Sequence, residues 1–173
     1  MNIPLAQPDI GEREIEAVVA ALRSSRLSLG SRQKEFEAGL ARFVGAQYGC
    51  AVSSGTAGLH LALVALGIGS GAEVITSSFS FVASANCALY TGAKPVFADI
   101  DPETWNLDPA AVEAAIGPRT RAIIPVHVFG QPCRMDRITA AAENRGLAVV
   151  EDSCEALGSA LAGRPAGTMG RCG

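Results

Sequence analysis

In "GEREIEAVVAALRSS" the apolar residues Ile15, Val18, Val19 and Leu22 recur at helical spacing between charged ones, which predicts an amphipathic helix. A second such pattern follows in "SRQKEFEAGLARFVGA". There Phe36, Leu40, Phe43 and Val44 form an apolar face expected to point inward, and Gly45 stops the helix. The rhythm then changes. "CAVSSGTAGLHLALVALG" reads as a short strand, a Ser/Gly turn and a helix that is apolar on most faces and ends at Gly67. "AEVITSSFSFVASANCALYTG" repeats that design and ends at Gly92. "KPVFADID" is a further strand. "LDPAAVEAAIG" carries helix punctuation, with Asp108 as N-cap, Pro109 at the first helical position and Gly117 at the end. "TRAIIPVHVFG" is a strand running into a loop, "MDRITAAAENRG" a helix closed by Gly146, and "LAVVED" the next strand.

Strands alternate with helices, and the strands are continuously apolar rather than alternating. This predicts an α/β chain with a mainly parallel sheet covered on both faces, an αβα sandwich. In such sheets ligands bind beyond the carboxyl ends of the strands. Candidate chemistry is therefore sought at three strand ends.

After Val52 comes "SSGTAG", where Gly55 permits a tight turn and Thr56 and Ala57 begin a helix. Free N–H groups and the positive end of the helix dipole make such a turn fit for a phosphate, with hydroxyls of Ser53, Ser54 and Thr56 as added partners. An ordinary Ser-capped turn satisfies the same pattern. The spacing is neither GxGxxG nor a Walker loop. After Ile75 comes "TSSFSFVAS", in which Phe79 and Phe81 are core residues or platforms for a planar ring. After Val150 come Glu151 and Asp152. A carboxylate at the end of a buried strand requires a partner. A protonated ring nitrogen is one such partner, and a nearby helix N-terminus is another. Successive strand residues point to opposite sides, so Glu151 and Asp152 are expected to face opposite ways. His127 and Gln131, in the loop after a strand end, are read as either facing the site or packing the loop.

The 173 residues suffice for one domain with a core; 49% are apolar and 18% charged, and the net charge is -3. Without a Lys/Arg run, a nucleic-acid partner is not expected. No apolar stretch approaches the ~20 residues of a membrane span, and "MNIPLAQPDIGERE" lacks a signal pattern, so a cytoplasmic protein is expected. The five cysteines are odd in number and scattered, which fits reduced thiols and no metal site.

A phosphate cradle, an aromatic platform and an acid form one set, the set that pyridoxal phosphate requires. Taken in order, "IPLAQPDIGERE", "SSGTAGLHLAL", "GAEVITSSFSFVASANCALYTGAKPVFADIDPETWNLDP", "PRTRAIIPVHVFGQPCRMD" and "VVEDSCEALGS" resemble the blocks of the DegT/DnrJ/EryC1/StrS family of pyridoxal-phosphate aminotransferases. The resemblance implies the large domain of fold-type I aminotransferases, working as a homodimer on nucleotide-linked keto-sugars with glutamate as amino donor. Residues 1–173 then form the N-terminal part of that cofactor-binding domain, with the small C-terminal domain outside it. By the same resemblance Gly55, Thr56 and Ala57 hold the cofactor's phosphate. Phe81 stacks on its ring, Phe79 is packing, and Asp152 pairs with the ring nitrogen. Glu155 stands near the ring hydroxyl, where many relatives have His or Gln.

The family's Schiff-base lysine follows the region matching "GRPAGTMG", in a block resembling "GDAGVFSFxxxK". The chain's two lysines, Lys34 and Lys94, lie elsewhere. From Arg171 the sequence reads "GRCG" where the family reads "GDAG", and a one-base slip converts one into the other. A piece of a longer frame, inactive alone and prone to associate, is the expectation. A non-catalytic cofactor-binding or dimerising fragment, or part of a sugar dehydratase with histidine in place of the lysine, are the alternatives.

Overall fold

A computed structural model describes residues 7–28 and 30–173. Residues 1–6, read above for a leader pattern and entering the family resemblance from residue 3, lie outside the described residues. Two helices open the chain, α1 (Glu12–Arg23) and α2 (Ser31–Val44), followed by α3 (Gly55–Ala65). Then β1 (Glu73–Ser77), α4 (Ala83–Tyr90), β2 (Lys94–Ala98), α5 (Pro109–Ala115), β3 (Thr120–Ile124), α6 (Met135–Glu143) and β4 (Ala148–Val149) alternate. A short hairpin of β5 (Ala160–Leu161) and β6 (Arg164–Pro165) closes the order.

The main sheet runs β2-β1-β3-β4 and is parallel throughout. Side-chain alternation divides its apolar residues into two layers. Val74, Ala122 and Ile124 pack with Leu59 and Leu63 of α3 and Cys87 and Ala88 of α4. Ile75, Ile123 and Val149 pack with Val112 of α5 and Met135 and Ile138 of α6. This is the expected sandwich. Pro95 lies on β2, an edge strand, where its missing N–H breaks no inner ladder. The helix stops also stand as read. Asp108 caps α5 by accepting from Ala110 N–H at 2.9 Å, and Gly45, Gly92 and Gly146 carry positive φ after their helices.

Two expectations are corrected. The strand foreseen at 50–52 does not form. A strand needs a neighbouring backbone, and here the Ala51 N–H donates to the Glu37 carboxylate at 2.9 Å instead. The apolar face of α2 is only partly turned inward: Leu40 and Val44 are half-buried, whereas Phe36 and Phe43 are exposed. On α1, Ile15, Val18 and Leu22 are exposed, and no residue among those described is buried. Helical periodicity shows that a face is apolar and leaves open what covers it. Among the described residues no helix is long and apolar enough to cross a membrane, and the five cysteines are free thiols.

The buried core and the exposed face of α2 differ in what they contribute to folding. Leu63→Ala, at a fully buried position, is expected to lower unfolding free energy by about 2–5 kcal/mol in a urea titration of the chain. Phe43→Ala, at a position 67% exposed, is expected to cost less than about 1 kcal/mol. An equal loss at both positions would show that the α2 face is covered in solution.

Candidate functional site

The carboxyl ends of β1, β3 and β4 meet the N-terminus of α3 around a cleft of about 530 Å³. Its size falls in the range of small-molecule sites. Gly55, Thr56, Phe79, Phe81, Asp152 and Glu155 all line it.

The α3 side begins with Ser54 as N-cap, its hydroxyl accepting from Ala57 N–H at 3.1 Å while Gly58 N–H donates to the Ser54 carbonyl. The N–H groups of Gly55 and Thr56, also in the first turn, have no intrahelical acceptor. Ala57 stands one step deeper, outside the cleft lining, with its N–H committed to the cap. A Cβ at position 55 would lie 2.5 Å from Cys154 Sγ, so a larger residue there would have to displace the Cys154 side chain.

The aromatic side comes from the turn after β1. Ser77 Oγ accepts from Phe79 N–H at 2.9 Å and shapes the turn. Phe79 packs between Trp105 and Phe129, with ring centroids 5.3 and 6.3 Å away. Phe81 is 76% exposed, so its face is available to a ligand. Phe129 forms a further wall and is held in the left-handed region at φ 53° and ψ 27°, with its N–H donating to Glu155 Oε2 at 2.9 Å.

The acid side is set by backbone. Asp152 N–H donates to the Pro125 carbonyl at 2.9 Å, and the Asp152 carbonyl accepts from His127 N–H at 3.0 Å. These bonds carry the β3–β4 pairing past the end of the strands. Asp152 is buried, at 7% exposure. Its Oδ2 accepts from Ser84 Oγ at 2.9 Å, and Ser80 Oγ lies 2.8 Å from Ser84 Oγ. Cys154 N–H approaches Oδ1 at 3.4 Å. A carboxylate offers about four acceptor positions, so it retains capacity toward the cleft.

Glu151 points the other way, outside the cleft lining and fully buried. The His127 ring is also buried, bonded to Glu151, and packs the loop rather than facing the cleft. Gln131 lines a separate cleft of about 200 Å³, and its carbonyl accepts from Asn106 Nδ2. Sequence reasoning passed over Ser84 and Cys154. Ser84 is three residues after Phe81, and its hydroxyl lies 3.3 Å from the Phe81 carbonyl. Cys154 becomes noticeable only through the close approach of Gly55.

The family model for the DegT/DnrJ/EryC1/StrS aminotransferase family matches residues 8–173. The spore coat polysaccharide biosynthesis protein SpsC of Bacillus subtilis (strain 168) is 49% identical over 168 residues, which is 97% of this chain and 43% of that protein. Among solved structures, the PLP form of Spr1654 from Streptococcus pneumoniae is 34% identical, with TM-score 0.94 over 98% of this chain and 47% of its own. DesI in the presence of its TDP-sugar product is 42% identical, with TM-score 0.83 over 90% of this chain and 40% of its own. The chain spans less than half the length of the relatives it matches.

Burial pushes the Cys154 thiol up to about 11, helped by hydrogen bonding to Asp152 and by the Asp152 and Glu155 carboxylates. At pH 8 roughly one such thiol in a thousand is ionised. Cys154 is therefore expected to react slowly with iodoacetamide at pH 8 by peptide mass spectrometry, and Asp152→Asn is expected to accelerate it several-fold. An unchanged rate in D152N would show that Asp152 does not govern this thiol.

Proposed function

The chain belongs to the DegT/DnrJ/EryC1/StrS aminotransferase family, and on that premise we propose that its cleft holds pyridoxal 5'-phosphate for amino-group transfer. One observation carries the reading: a helix N-terminus, an exposed aromatic face and a buried carboxylate line the same cleft. The cradle fits a phosphate, because Gly55 leaves the approach open and the first turn of α3 presents N–H groups without an intrahelical acceptor.

In this reading the Gly55 and Thr56 N–H groups and the Thr56 hydroxyl hold the phosphate. Ala57 contributes by being small, since its N–H already serves Ser54. Phe81 stacks against one ring face. Asp152 accepts the proton-bearing ring nitrogen and keeps the proton there, while Ser84 fixes the orientation of the carboxylate. Glu155 would stand beside the ring hydroxyl, with Oε2 engaged by Phe129 N–H and Oε1 without a hydrogen-bond partner among the described residues. When bound, the protonated ring supplies an electron sink for a carbanion.

The longer protein then transfers an amino group, with glutamate as donor, to a nucleotide-linked keto-sugar. The polysaccharide role in the name of SpsC and the TDP-sugar of DesI support that substrate class. Residues 1–173 are read as the N-terminal part of the cofactor-binding large domain. Neither lysine lines the cleft: Lys34 lies in α2, and Lys94 opens β2 at the opposite end of the sheet, 3.8 Å from Glu73. The catalytic lysine is assigned beyond residue 173, and the 173 residues alone do not transaminate. The exposed apolar faces of α1 and α2 support a homodimer of the longer protein.

Pyridoxamine 5'-phosphate tests the cofactor reading without needing a lysine. Trp105, the only tryptophan, packs on Phe79 and reports binding by its fluorescence. Saturable quenching is expected. Asp152→Asn is expected to weaken binding about 10-fold to 100-fold, and Phe81→Ala about 3-fold to 10-fold. A cooperatively folded chain that leaves the fluorescence unchanged at millimolar ligand would overturn the reading.

A further inference from the structure

Glu151 is a charged group in an apolar interior, and no Lys or Arg forms a pair with it among the described residues. Burying a carboxylate carries a large cost unless hydrogen bonds replace its water. Here four donors do so. Oε2 accepts from His127 Nε2 and Gly167 N–H, both at 2.9 Å. Oε1 accepts from Met169 N–H at 2.6 Å and Gly170 N–H at 2.5 Å. The His127 Nδ1 accepts from Cys133 N–H at 3.1 Å, so the ring proton resides on Nε2 and points at Glu151.

The donors come from two parts of the site's support, three from the turn at 167–170 and one from the loop after β3. The turn at 167–170 is drawn against β4, closely enough that a Cβ on Gly170 would lie 2.6 Å from the Val149 carbonyl. The chain then runs alongside β4: Arg171 N–H donates to Val149 and Glu151 N–H to Cys172. The His127 backbone holds the Asp152 carbonyl, and two residues later the same loop places Phe129 on the cleft wall.

We propose that Glu151 and His127 form a positioning clamp behind the cleft, fastening the 167–172 segment and the loop at 125–130 to the strand end that delivers Asp152. Neither side chain touches the cleft. The proposal rests on the cofactor reading only for what the cleft binds. A glutamine at 151 has one oxygen and one NH2 group, so it cannot accept all four bonds. Whichever way the amide turns, two donors face another donor.

The experiment is residue-resolved amide exchange on the 173-residue chain, with pyridoxamine 5'-phosphate binding measured in parallel. Glu151→Gln is expected to speed exchange at Gly167, Met169 and Gly170 about tenfold or more, while Ile75 and Ile123 in the sheet stay protected. His127→Gln retains an N–H that reaches Glu151 and is expected to keep the protection, whereas His127→Leu loses it. E151Q is also expected to bind the ligand about tenfold more weakly. Unchanged protection or unchanged affinity in E151Q would overturn the clamp.

If E151Q does not fold, the wild-type chain decides by its pH dependence. Burial pushes the Glu151 carboxyl up, but the bonds from His127 and the three N–H groups outweigh it and hold the carboxyl below the usual range. Its contribution is therefore complete above the unfolded value of about 4.3 and is lost as pH falls below it. The other titratable groups around it are His127 and Cys133 from the loop after β3 and Cys172 from the segment beside β4. Protection at 167, 169 and 170 is expected to fail in acid before that at Ile75 and Ile123. Simultaneous loss at all five would overturn the clamp. If the wild-type chain binds no ligand, the cofactor reading falls, and exchange alone judges the clamp.

Discussion

A parallel sheet obliges every strand to end at the same edge, and the architecture of this chain follows from that constraint. With the order β2-β1-β3-β4, the turns after β1, β3 and β4 fall on one rim, and the N-terminus of α3 meets them there. Segments nearly a hundred residues apart in sequence, at Thr56 and Asp152, need no further device to meet. Alternation along each strand adds a second rule. Adjacent residues serve opposite faces, so Val74 and Ile75 build separate layers. At the end of β4 the same rule separates two acids into two environments, one a cleft and one a closed network.

Much of this was legible in the sequence, for local reasons. Asp108 followed by Pro109, and the glycines after α2, α4 and α6, mark helix ends through backbone conformations that depend on few neighbours. The strands β1 and β3 stood out through their apolar residues Val74 and Ile75, and Ala122, Ile123 and Ile124, all buried. Gly55, Thr56, Phe81 and Asp152 were marked by their place after expected strands and Glu155 by the family resemblance; all five line one cleft, although the strand expected before Gly55 does not form.

What escaped the sequence depends on distant partners. The segment 50–52 has strand composition and no strand beside it, and its Ala51 amide is taken by a side chain from α2. The surfaces of Ile15 and Phe43 are apolar by pattern and open in the fold, because the pattern does not say what lies opposite. His127 occupied a loop near a strand end and read equally as site or packing; only the position of Glu151 decides it.

Phe129 illustrates a tension between folding and use. Its left-handed backbone costs a non-glycine residue roughly 1–2 kcal/mol, yet its ring is 78% exposed and so gains little from burial. Glycine at this position would relieve the strain. A selection for heat resistance alone would therefore be drawn to residue 129, and its reward would be a sturdier molecule with one wall of its cleft removed.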